Sequence, residues 1–285
     1  MEITFLGMGV EATLLLPMLE RNIPARYVGI SSGPIDLEEY RGEKIRFSMR
    51  PSIGAAALRI LRKINKSTKD ADIVFLLSEI NGKSTEDIVC SIAEGIEGKT
   101  VISIVWYPKQ KHGQRGISNT LERLGKCSSV VAIPQMASTK LQELVPEYVE
   151  QLLFMYQLPY VNVEMDTCKR ILSKGGLLHL MQEEIYIEHL NHKAEGIPWS
   201  ISSIRHSRNL DTLLEYGSSA LLHITVSQGT DPAAIQYICE YVFSQLGEDG
   251  ELNFSITVIS EPQDTVGIDI LVTNTVTEKE ASLWY

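Results

Sequence analysis

Residues 71–87 read "ADIVFLLSEINGKSTED": an apolar run, Ile73–Leu77, that leads into Gly82-Lys83-Ser84-Thr85. An apolar run of this length bounded by a turn is a strand covered on both faces. The turn spells the end of a phosphate-binding loop, G-x-x-x-x-G-K-[ST]. The leading glycine of that motif lets backbone N–H groups wrap around a phosphate. Here that position holds Leu77. Glu79, Glu86 and Asp87 also surround Lys83, and carboxylates repel phosphate. On these residues alone, the spelling is a strand-to-helix turn and not a nucleotide motif.

Composition narrows the function. The 285 residues are 44% hydrophobic and 22% charged, which suits one large or two ordinary globular domains. The formal net charge of −10 argues against a sequence-independent nucleic-acid binder, which needs a basic face to displace counterions. No apolar run approaches the roughly 20 residues of a membrane span. The start, "MEITFLGMGV", is a strand entering a turn and not a targeting leader. The four cysteines, Cys90, Cys127, Cys168 and Cys239, lie far apart without a C-x-x-C, as expected of reduced thiols in a cytoplasmic protein. His189 and His192 form a close pair, but with no cysteine nearby they read as a solvated helix face, and no metal is expected.

Strands and helices alternate outward from the opening stretch. "EITFLG", "ARYVGIS", "ADIVFLL", "KTVISIVWYP" and "SSVVAIP" are strands, and helices fall at "VEATLLLPMLERN", "GAAALRILRKIN", "TEDIVCSIAEGI" and "ISNTLERLG". That pattern predicts a parallel sheet covered on both faces, with ligands in the turns after the strands. The turns to question are Gly7–Ala12, Ser31–Gly33, Ser78–Asp87 and Tyr107–Arg115. A helix within Thr139–Leu158 follows, with Pro146 expected to bend or end it. Beyond it the strands alternate apolar and polar residues, as in a sheet with helices on one side. The expectation is α/β: a Rossmann-like N-terminal domain over 1–138, a connecting helix over 139–161 and an α+β sheet domain over 162–285. The two sheets are expected to be separate.

The segment "VNVEMDTCKRILSKGGL" resembles the loop and helix N-[LV]-D-F-x-D-V-K-x-[IV]-M-x-x-[AG]-G of the FtsZ/tubulin superfamily. Asn162, Val163, Lys169, Ile171, Gly175 and Gly176 fall in register. The likeness is collinear over nearly the whole chain. "DADIVFLL", "RPSIG", "KHGQRGISNTLERL" and "SSVVAIPQ" are similar to family segments in the first half, and "NLDTLLEYGSSALLHITVSQGTD" and "LNFSITVIS…TVGIDILVTNT" to family segments in the second. The resemblance implies the family fold and a GTP site built from Gly7, Gly9, Glu11, Ser31, Gly82, Ser84, Thr85, Arg115 and Gln135. It also places Glu164, Asp166 and Thr167 where the family carries the carboxylates that position water against the next subunit's nucleotide.

The same alignment exposes departures. The family's G-G-G-T-G-[ST]-G loop retains only Gly82, with Lys83, Glu86 and Asp87 filling part of its space. Glu11 replaces a glycine beside the phosphates, Ser31 and Ser32 replace N-T, and Gln135 replaces an asparagine. Thr167 cannot ionise, and Glu164 is one methylene longer than the family aspartate. The implied protein is a degenerate GTPase without a required cofactor, partnered with itself or another FtsZ-family protein. Two alternatives stand beside it. One is a GTP-binding, filament-forming relative with remodelled loops. The other is a dinucleotide-binding enzyme, suggested by "ITFLGMGVEA" but weakened because no acid ends the second strand to hold a ribose.

Overall fold

The computed structural model describes residues 1–33, 37, 40–48, 53–107, 114–134, 137–158, 166–186, 214, 217–246, 250–261, 263 and 265–274. The chain divides into two compact units: Met1–Glu150 with Leu172–Leu177, and Gln151–Ile171 with Leu178–Thr275.

The first unit is built on β1 (Ile3–Met8), β2 (Arg26–Ser31), β3 (Glu43–Arg46), β4 (Ile73–Glu79), β5 (Thr100–Tyr107) and β6 (Ser129–Pro134), in the parallel order β3-β2-β1-β4-β5-β6. Strands β1, β4 and β5 are buried almost throughout, so the sheet needs helices on both faces. These are α1 (Val10–Leu19), α2 (Ile53–Ser67), α3 (Lys83–Gly95) and α4 (Gln114–Gly125). Register is fixed by an aromatic row. Phe5 sits opposite Tyr27 and Phe75, with ring centroids 5.1 and 4.9 Å apart, and an offset stack of this kind adds about 0.5–1.5 kcal/mol per pair to plain burial. Strand β3, "EKIR", has only Ile45 buried and no apolar run to announce it.

Helix α5 spans Ser138–Gln157 without a break, so Pro146 does not end it. The second unit holds α6 (Asp166–Ser173, to Ile171), β7 (Gly176–Tyr186, from Leu178), β8 (Gly217–Ser227), α7 (Pro232–Gln245), β9 (Glu251–Ile259) and β10 (Thr265–Asn274). Its strand order is β7-β10-β8-β9. Strands β8 and β9 are parallel and joined through α7, whereas β8 and β10 are antiparallel. Asp231 caps α7 by accepting the Ala233 N–H at 2.9 Å, with Pro232 opening the first turn. Inside this unit His223 is buried. Its Nδ1 lies 2.7 Å from Ser255 Oγ and Nε2 3.3 Å from Thr225 Oγ1, and the Phe154 ring meets it edge-on.

Strand β7 crosses the boundary between the units: its first residues, Gly176 and Leu177, belong to the first and pair with Ser129 and Val130 of β6, and its remainder belongs to the second and lies beside β10. The turn into β7 is tight: Gly175 has φ +79°, and a Cβ there would lie 2.2 Å from the Gly125 carbonyl oxygen. Gly98 also has positive φ, but open space around it.

Gly175→Ala should therefore cost at least about 2 kcal/mol, against about 1 kcal/mol for Gly98→Ala, compared by urea denaturation. A second outcome concerns His179, whose imidazole is pushed down to about 4 by burial. Its folded value lies below the unfolded one of about 6.5, so its neutral form stabilises the fold fully above that pH. Stability is lost between about 6.5 and 4, by on the order of 2 kcal/mol. In His179→Gln the difference in denaturation midpoint between pH 7 and pH 4.5 should shrink.

Candidate functional site

Parallel strands place their outgoing turns along one edge, and the first unit gathers a cleft of about 210 Å3 there. Its wall includes Met8, Gly9, Ser31, Ser32, Glu79 and Thr85. That volume is small beside the roughly 300–1,000 Å3 of ligand pockets.

Two glycines shape it. Gly9 caps α1 at φ 91° and Gly82 caps α3 at φ 93°, and at either position a Cβ would meet nothing within 4 Å. Neither helix start carries a side-chain cap, so both expose the partial positive charge of their first turns. Gly7 serves a different end. A Cβ there would lie 3.0 Å from the Ala12 carbonyl oxygen and from Leu16, so the close approach of α1 to β1 explains it.

Carboxylates sit across this positive edge. Glu11, in the first turn of α1, accepts from the indole Nε1–H of fully buried Trp106 at 3.0 Å and from Ser138 Oγ at 2.8 Å. Trp106 is in turn the register partner of Glu79 in the neighbouring strand. Trp106 thus brings together two acids from distant parts of the chain. Burial pushes Glu79 above the usual carboxylate range, the charge of Glu11 adds to the shift, and the Asn81 side-chain amide, donating at 3.4 Å, opposes it.

Glu86 and Asp87 behave otherwise than the sequence suggested. Glu86 accepts from Thr120 Oγ1 at 3.2 Å, and Asp87 pairs with Arg123 Nη1 at 3.4 Å. Arg123 also holds Glu94, and the guanidinium keeps the Glu94 carboxyl below its ordinary range. Glu86 and Asp87 are thus turned toward α4.

Of the other candidates, Ser31 is buried in the cleft wall and accepts the Gly33 N–H at 2.9 Å. Ser84 and Lys83 are exposed in the first turn of α3, and Thr85 is half-buried. Arg115 lies in the first turn of α4 and Asp166 opens α6, their side chains outside the described residues. Thr167 is half-buried in the first turn of α6. Gln135, Glu164, His189 and His192 fall outside the described residues. Among the described residues no cluster of His, Cys, Asp and Glu could hold a metal, and no helix is long and apolar enough to cross a membrane. Trp106, Ser138 and Asn81 were not singled out from sequence. Trp106 sits at the end of a strand whose outgoing turn was flagged, which is the one signal that could have found it.

No protein-family model matches the chain, and no curated protein matches its sequence. Solved structures do. An empty FtsZ dimer from M. jannaschii aligns at TM-score 0.66 and 19% identity, over 96% of this chain and 88% of that one. CetZ2 from Haloferax volcanii, solved as a GTPγS-bound protofilament, aligns at TM-score 0.69 and 13% identity, over 99% and 96%. TubZ from Bacillus thuringiensis serovar israelensis, a GTPγS-form protofilament, aligns at TM-score 0.69 and 10% identity, over 99% and 88%. The chain has an FtsZ/tubulin-like α/β fold.

Glu11→Ala should leave the Trp106 N–H buried without its acceptor and cost about 1–3 kcal/mol. Glu11→Gln, which keeps an acceptor oxygen, should cost much less. Urea denaturation of the two variants side by side checks this.

Proposed function

We propose that this is an FtsZ/tubulin-like cytoskeletal or cell-division-related protein of the cytoplasm whose nucleotide site has lost its affinity for phosphate. It acts by assembly or interaction rather than by hydrolysis. The observation that carries the reading is Glu79, a carboxylate in the wall of the cleft beside the turns where a triphosphate would lie, with Glu11 close enough for its charge to act on Glu79. Like charge at short range in a partly desolvated cleft costs several kcal/mol, and each 1.4 kcal/mol is tenfold in affinity. The substitution of Thr167 for an ionisable group removes part of the water-positioning chemistry as well.

The reading keeps the parts 1–138, 139–161 and 162–285. Its partner is another copy or an authentic FtsZ-family filament, whose growth the chain would cap because it offers no working nucleotide face. A second reading, GTP binding through remodelled loops followed by polymerisation, is favoured by the open positive-φ caps Gly9 and Gly82. The two part in one titration. Calorimetry with GTP and magnesium should show no micromolar binding that depends on Gly82 in the wild type, and gain rather than loss in Glu79→Gln. A micromolar Kd that Gly82→Asp abolishes would overturn the first reading in favour of the second.

A further inference from the structure

A second cavity, of about 500 Å3, lies between the end of β3 and the outer face of α2. Its size falls within the range of small-molecule pockets. Arg46, Arg59, Arg62 and Lys63 line it, over a floor that includes Phe47 and Ile60. Arg59, Arg62 and Lys63 recur at i, i+3 and i+4, so one turn of α2 presents three cations on one face.

Among the described residues, these charges stand without carboxylate partners. Among the described residues, none of the four side chains makes a salt bridge or hydrogen bond. Glu43, the acid on β3, is already held by Arg26 and Ser67. Elsewhere among the described residues, Arg26, Arg123 and Arg170 are each paired, with Glu43, with Glu94 and Asp87, and with Glu251, whereas Arg21 and Arg41 stand singly without a salt bridge; in this cavity several unpaired cations stand together. In a chain of net charge −10, with more acids than bases, leaving four cations together and unpaired goes against the charge balance.

We infer that this pocket binds a phosphorylated small molecule, its phosphates on Arg46, Arg59, Arg62 and Lys63 and its ring or apolar part on Phe47. The chemistry selects that class. Guanidinium forks match phosphate oxygens in pairs. A strongly acidic protein repels anions at long range, so the ligand must deliver several charges at one spot, as linked phosphates do and isolated acidic side chains of a peptide do not. An extended nucleic-acid backbone would meet the acidic surroundings beyond the pocket. The Phe47 ring and Ile60 supply the apolar surface for stacking.

The test uses the full-length protein and inorganic pyrophosphate, then ATP, titrated by calorimetry at low salt. Saturable one-site binding of pyrophosphate is expected. It should weaken about tenfold in each of Arg59→Gln and Arg62→Gln, the loss of one charge-assisted contact, and hold in Gly82→Asp, which separates this pocket from the cleft at the strand ends. ATP should bind more tightly than pyrophosphate, and Phe47→Leu should remove the difference. Arg59 and Arg62 are exposed, so their replacement leaves the fold intact. Absence of saturable binding would overturn the inference. So would Arg59→Gln and Arg62→Gln proteins that bind like the wild type. Retention on phosphatidylglycerol vesicles without pyrophosphate binding would assign the surface to a membrane and equally overturn it.

Discussion

Strand β4 constrains the first unit more than any other element. From Ile73 to Ser78 its side chains are out of water, with β1 hydrogen-bonded on one side and β5 on the other. A strand buried on both faces needs cover on both sides, and parallel neighbours, which must be linked through crossover helices, supply it. All the strands of the unit then point the same way, and every outgoing turn opens at one edge. That is why Gly9, Ser31, Glu79 and Gly82, widely separated in sequence, belong to one locality. It is also why one buried indole, Trp106, can hold Glu11 while lying opposite Glu79. The chemistry at the edge follows from core packing. Binding residues can change there without disturbing the apolar contacts that specify the fold.

Charge placement adds a second layer. Acids near helix N-termini are ordinarily favourable, since they complement the dipole. Glu11 has that advantage and two hydrogen bonds besides, so it stabilises the unliganded fold at the position where an anion would otherwise be attracted. Glu86 and Asp87 satisfy themselves on Thr120 and Arg123 and leave the α3 start open. The same helix end is thereby inviting by backbone geometry and uninviting by the carboxylates across from it. Backbone and side chains disagree, and the disagreement is local to the cleft.

The long apolar strands β1, β2, β4, β5 and β6 were legible in sequence because full burial leaves no polar residue to blur the run. Strand β3 was not, since Glu43, Lys44 and Arg46 are exposed and a single buried Ile45 gives no period. The shared role of β7 was hidden for a related reason. "GLLHLMQEEIY" carries no mark of the point at which its partner changes from β6 to β10, because pairing is decided by backbone groups. Of the two outcomes expected at Pro146, a bend or an end, the end does not occur, since α5 carries on through it. At the site, Glu11 was visible as a carboxylate in a glycine position, but the hydrogen bonds that fix it come from β5 and α5 and have no local signature. The direction of Glu86 and Asp87 depended on Thr120 and Arg123, which spacing along α3 could not supply.

Phe47 lines both the cleft and the arginine pocket, and its N–H donates to the Ser31 carbonyl at 3.2 Å. On one side of it lie Gly9, Ser31 and Glu79, and on the other Arg46, Arg59 and Arg62. The parallel sheet fixes the edge at which ligands can enter, since β3 ends at the same edge as β1 and β2. It does not fix which of the neighbouring cavities receives an anion. That choice rests on side chains outside the core. In the cleft, the carboxylate of Glu79, with Glu11 nearby, opposes two helix starts whose partial charges are only about half an elementary charge each. In the pocket beside it, whole charges of the favourable sign stand unpaired among the described residues. Coulombic attraction scales with charge, so the balance between the two lies with the arginines. A fold that positions a phosphate at strand ends can in this way have its anion preference moved by one strand, with the sheet, the helices and their packing left as they were.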